Sequence, residues 1–349
     1  MPCPGLPSEP ATVVFDDDGD LVLNVGSTKC VRYPFGDAQV THSHNVASAF
    51  RVCSRSMARA SPVWKRMLFG GFAESKPPSG DWVVNLPDDL PQSMSTLLGI
   101  VHAKFDDVPQ TIGVQELFDI AVLADKYDLT HLLKPWARLW LDQVWENGSK
   151  QYLSAILQLW ITWVLGDQSR FVAFAHYLAL NMQSEYPFKL SLFTPPDVAD
   201  RIIKIHHVTI AKLLRPWEEV IFQLSGEDPY AASNGRRRGR CSLSDNDKAS
   251  ECNMLLLRYL KRSFRKAHLY PEFARSIMLG KTVCTVAQNL KSIIIQTPVL
   301  DSDHEGCHRL MKEAGSEIDQ IVGNVKFTLT EAELTHFRAQ GLKTGLGQK

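Results

Sequence analysis

Long apolar runs, clustered cysteines and a surplus of either charge are all missing from this chain of 349 residues. Each absence closes off a class of function. Lys plus Arg equals Asp plus Glu at 38 each, so no global field draws the chain to nucleic acid or to an anionic membrane. The seven cysteines, at 3, 30, 53, 241, 252, 284 and 307, are odd in number, widely spread and without a C-x-x-C pair. They read as reduced thiols of a cytoplasmic or nuclear protein rather than as the disulfide framework of a small secreted one. The most apolar stretch, 153–165, is interrupted by Ser154, Gln158 and Thr162 and ends at Gly166. It falls short of the ~20 apolar residues that cross a bilayer and reads as a buried helix. The opening MPCPGLPSEP has four prolines and no apolar core, unlike a signal or transit peptide.

Catalytic signatures are missing too. The chain has no G-x-S-x-G, no P-loop, no H-E-x-x-H and no dinucleotide fingerprint, and Gly70-Gly71 lacks the later Lys-Ser/Thr of a phosphate loop. His42, Ser43 and His44 lie in an irregular stretch and follow no triad order. No catalytic residue, cofactor or assigned metal site is expected, and the chain is read as a non-enzyme.

What is there is a hydrophobic content of 44%, enough for two domains with cores of their own. Residues 1–16 read as a disordered lead-in. Asp20 to Val25 alternates apolar and polar residues, the pattern of a half-buried strand. Phe50 to Val52 is a short strand, followed by a helical turn over 54–59. Ser61-Pro62 then places an N-cap and a proline at the first helical position, and the helix runs to Phe69 and Gly70-Gly71. Asp81 to Leu86 is a strand that Pro87 stops. Met94, Leu97, Leu98 and Val101 form one helical stripe, and Leu117, Phe118, Ala121, Ala124 and Tyr127 another. Thr130 opens a further helix with Leu133, Trp136, Trp140 and Val144 inward, and Asn147-Gly148 marks a boundary. Helices are expected over 151–165, 168–183, 195–206, 208–224 and 251–268, and the C-terminal portion is read as mixed and largely helical. Residues 226–250, polar and containing Arg236-Arg-Arg-Gly-Arg240, read as a flexible basic loop.

The segments Asp20-Leu-Val-Leu, Phe50-Arg-Val-Cys-Ser, Ala60-Ser-Pro-Val-Trp-Lys-Arg-Met-Leu and Ala124-Asp-Lys-Tyr-Asp-Leu together resemble a BTB/POZ domain of the type common in fungi. The resemblance covers 17–146. It implies an α+β fold, a small sheet flanked by a helical cluster, followed by helical regions at 147–225 and 251–349. It also implies a protein-interaction module that forms homodimers and serves as a substrate adaptor for a cullin-type ubiquitin ligase. The helical remainder would hold an unknown protein partner. The alternative is a nuclear regulator of transcription or chromatin that recruits partners through the same domain, with the Arg loop aiding import.

Four residues carry the expected protein-binding surface. Phe72-Ala73-Glu74 resembles the hydrophobic-x-acidic motif of cullin-binding members, with Phe72 as anchor and Glu74 as a directional contact. The other reading of Phe72 is closure of the local core. Tyr127 matches a position that contacts cullin in the family, or packs on its own helix stripe. Asp20 matches the buried carboxylate that faces a basic residue across corepressor-type dimers, but here Ser54 stands at the basic position and Cys53 at the usual histidine. Cys241, Cys252, His304 and Cys307 offer enough nitrogen and sulfur ligands for a tetrahedral zinc. Whether they form a site is open in the sequence.

Overall fold

Leu21, Leu23 and Val25 point to one side of a strand and are buried, while Val22 and Asn24 between them are half-buried. That strand, β2 (Leu21–Val25), is central in the computed structural model. The structure describes residues 12–26, 47–147, 152–182, 194–195, 197–225, 246–269, 280–295, 312–313 and 315–347. Among these residues a mixed four-stranded sheet has the order β1 (Thr12–Val14), β3 (Ser48–Val52), β2 and β4 (Val83–Leu86). β2 runs antiparallel to β3, with Leu23 opposite Phe50, and parallel to β4, with Leu23 opposite Val84. The fold is therefore α+β, with helices in the majority. No helix among the described residues is long and apolar enough to cross a membrane.

β1 corrects the expectation of disorder over 1–16. Thr12, Val13 and Val14 are β-branched and pair in parallel with Ala49, Phe50 and Arg51, and the N–H of Phe15 extends the ladder to the Arg51 carbonyl at 2.9 Å. Phe15 is then buried. Residues 1–11 lie outside the described part.

Contacts divide the chain into two compact units, Met1–Phe171 with Leu329–Lys349, and Val172–Thr328. In the first, α1 (Ser54–Ala60), α2 (Pro62–Phe69), α3 (Pro91–Val101), α4 (Val114–Lys126), α5 (Ala137–Asn147) and α6 (Tyr152–Leu165) supply the helices. The helix expected from Thr130 is split. A 3-10 turn covers Thr130–Leu133, and α5 begins only after Pro135, which has no N–H to donate to an intrahelical bond. The boundary expected near 147 falls inside this unit because α6 is apolar on nearly every side and packs on α4.

The C-terminal helix α12 (Glu331–Thr344) belongs to the first unit as well. Its Phe337 is buried against Trp163 and Phe171, with ring centroids 5.3 and 5.0 Å away. His336 stacks on Trp163 at 3.7 Å, and Lys343 pairs with Asp128 at 2.8 Å. Gly166 sits at φ +80 so close to the helix that a Cβ there would lie 2.3 Å from the Gly341 nitrogen.

α7 (Gln168–Asn181) runs on into the second unit, whose described helices include α8 (Val198–Ser225), α9 (Asn246–Lys266), α10 (Val283–Ile295) and α11 (Ile318–Gly323). The expected pair 195–206 and 208–224 is a single helix. Its buried stripe continues without a phase break through Ile202, His206, Ile210, Leu213, Trp217 and Val220, and Pro216 is accommodated inside it. α9 takes in the last five residues of the expected basic loop, 246–250. Trp217, Leu256, Leu260, Phe264, Val286 and Leu290 make this unit's core.

Candidate protein-interaction surface

α2 begins as its sequence dictates. Ser61 Oγ accepts from the Trp64 N–H at 3.0 Å and donates to the Tyr127 carbonyl at 2.5 Å, so the N-cap also ties α2 to the end of α4. The far end of α2 sets the candidate site. A Cβ on Gly70 would lie 2.3 Å from the Arg66 carbonyl oxygen, and Gly71 has φ +80, so this turn needs both glycines. It is Gly71, not Gly70, that takes the left-handed conformation of a helix stop.

The loop beyond is pinned by one hydroxyl. Ser75 Oγ accepts from the N–H groups of Gly71 and Phe72, both at 3.0 Å, and donates to the Met67 carbonyl at 3.1 Å. Phe72 is therefore held outward at 54% exposure, which rules out closure of the local core as its role. Glu74 is half-buried, and its carbonyl accepts from Trp82 Nε1 at 2.9 Å. Trp82 meets Phe69 edge-on at 5.7 Å, Lys76 lies over the Trp82 ring, and Arg55 lies over Phe69. The result is an ordered patch in which aromatic rings and charges alternate.

Asp20 borders this patch but is occupied within the chain. Its Oδ1 accepts from the Ser54 N–H and its Oδ2 from Ser54 Oγ, both at 2.9 Å, while Lys76 Nζ stands 3.5 Å away. Partial burial pushes the carboxyl up, but the Ser54 bonds and Lys76 outweigh it and leave its pKa below the ordinary value. Asp20 thus anchors the first turn of α1, with Ser54 as its partner.

Tyr127 does not reach the surface. It is 2% exposed and stacks on Trp64 with centroids 4.4 Å apart. Its O–H donates to Asp89 Oδ2, and Lys126 Nζ pairs with Asp89 Oδ1 at 2.5 Å. Burial, and then the bond to Asp89, drive the phenol well above its usual range. A contact by this side chain with a partner is excluded by that packing. Of the four expected residues, Phe72 and Glu74 share one loop, Asp20 reaches the same loop through Lys76, and Tyr127 belongs to the interior.

Three residues that the sequence reading passed over complete the picture. Asp89 is buried and paired twice. Ser75 organises the loop. His102 clamps β3 to α3, its Nε2 accepting from the Cys53 N–H at 3.1 Å and its Nδ1–H donating to the Leu98 carbonyl at 2.9 Å. Only the serine carried a sequence signal, four residues after a Gly-Gly pair.

No group of three or more metal-ligating side chains occurs among the described residues. Cys252 is buried, and Cys241, His304 and Cys307, like His42, His44 and the Arg236–Arg240 run, lie outside them. Comparison with models of protein families, with curated proteins and with solved structures returns no significant match to this chain.

Proposed function

We propose that the first unit is a BTB/POZ-type platform and that the chain works as a protein-interaction module, self-associating through that unit and contacting a cullin-type scaffold through the Phe72 loop. The observation that carries the reading is the exposed Phe72 ring on a loop whose backbone is fixed by Ser75 and two glycines. An aromatic anchor on an already ordered backbone loses less entropy on binding than one on a free loop, and such residues dominate interface energetics. The small mixed sheet and its majority of helices agree with the α+β fold that the resemblance implies, which supports the same reading. The engagement of Asp20 by Ser54 favours this adaptor reading over the corepressor-like alternative, since the carboxylate has partners in its own chain.

A pull-down with a purified cullin N-terminal domain tests the proposal. The native chain is expected to be retained and the Phe72→Ala, Glu74→Ala double variant to be lost. Retention of both, or of neither, contradicts the cullin contact. Sedimentation of the purified chain over a concentration series tests self-association, and a monomer throughout would exclude it.

A further inference from the structure

The second unit carries an open groove of about 540 Å³ between α8 and the stretch from α11 to Lys326. On α8 the groove is lined by Lys204, Val208 and Lys212, which recur every four residues and so share one helix face. Opposite stand Ile321, Val325 and Lys326. Arg201 holds this second wall in place. Its guanidinium donates to the Thr328 carbonyl at 2.6 Å and lies 4.4 Å from the centre of the Phe327 ring.

Two features of the groove ask for a ligand. Val208 is 44% exposed although it lies between two lysines, which leaves an apolar floor open to water. None of the three lysines forms an ion pair among the described residues, and Glu317 is the only carboxylate in the lining. The composition of this stretch of sequence leans the same way. Lys and Arg number 21 against 17 Asp and Glu over 172–328, and 17 against 21 over the rest of the chain. Lys204 and Lys212 stand eight residues apart, about 12 Å along the helix axis. An extended chain that runs along this helix face can meet both.

We propose that this groove docks an acidic peptide segment of a partner protein, its carboxylates meeting Lys204, Lys212 and Lys326 and its apolar side chains covering Val208 and Ile321. The site stands on the second unit and does not depend on the reading of the Phe72 loop. Selection of random 12-residue peptides on the immobilised full chain, followed by fluorescence anisotropy of the enriched peptides, tests it. Enriched peptides are expected to combine Asp or Glu with aliphatic residues. Their binding should weaken about tenfold in the Lys204→Glu, Lys212→Glu, Lys326→Glu variant, as three screened ion contacts would give. It should also weaken as salt rises from 50 to 300 mM, while Arg258→Glu, another exposed basic position, leaves it unchanged. Enrichment without acidic residues, or equal binding by the triple variant, overturns the proposal. So does self-association of the native chain that the triple variant loses, since the occupant would then be a second copy.

Discussion

At the end of α2 the ring of Phe72 is 54% exposed, whereas at the end of α4 the ring of Tyr127 is 2% exposed. Both are aromatic residues with an acidic neighbour within two positions, and sequence reasoning gave both the same role. The fold separates them by what meets the ring. Tyr127 has a stacking partner in Trp64 and an acceptor in Asp89 for its hydroxyl, so its polar tip is satisfied in the interior. Phe72 follows a left-handed glycine, and its own backbone N–H is taken by Ser75, which turns the side chain away from the core. Residue type names candidates for an interface, and the hydrogen bonds of the neighbouring backbone decide among them.

Substitutions at the two ends should therefore behave differently, and the largest effect belongs to the interior. Tyr127→Ala or Trp64→Ala is expected to cost about 3–5 kcal/mol of stability, as large aromatic deletions from a core do. Denaturant unfolding measures this, and a loss under 1 kcal/mol would place Tyr127 outside the core. Asp89→Ala comes next. It leaves Lys126 and the buried Tyr127 hydroxyl without their acceptor, for a loss of about 1–3 kcal/mol. Tyr127→Phe in the same background should then be nearly silent, because the hydroxyl has already lost its partner.

The N-cap of α2 was legible in the sequence because Ser-Pro is a local signal, and the structure places Ser61 and Pro62 as that signal requires. β1 was not legible, since its partner Ala49–Arg51 lies more than thirty residues away and nothing within Thr12–Val14 records it. The same limit explains Tyr127. Its helical spacing marked a stripe, but whether a stripe faces the core or a partner depends on Trp64 and Asp89, which are distant in sequence. The return of α12 to the first unit likewise rests on Phe337 meeting Trp163 and Phe171, a contact across some 170 residues.

Smaller effects sharpen the account of the exposed loop. Gly71→Ala forces a Cβ into the left-handed region and should cost about 1 kcal/mol while loosening the loop. Faster amide exchange at Phe72 would report that loosening. Acidification offers a further test. Burial holds His102, and likewise His206 and His336, below the ordinary imidazole value, more than their carbonyl bonds raise it. Each folded-state pKa is lowered, so the contribution of the neutral rings is complete above the unfolded value of about 6.5 and is lost as pH falls from there through the folded values. Thermal unfolding should be flat between pH 7 and 8 and decline below about 6.5. His102→Gln should reduce that slope, and an unchanged slope would remove His102 from the account.

The smallest stability effect is expected at Phe72. Phe72→Ala should change stability by no more than about 0.5 kcal/mol, as exposed substitutions do. The most direct measurement of the central claim is titration calorimetry of a cullin N-terminal domain into the native chain and the Phe72→Ala variant, with the melting temperature of each recorded alongside. The account predicts saturable binding by the native chain and at least a tenfold weaker affinity for the variant, at an unchanged melting temperature. Equal affinity of the two proteins, or no heat from the native one, would contradict it.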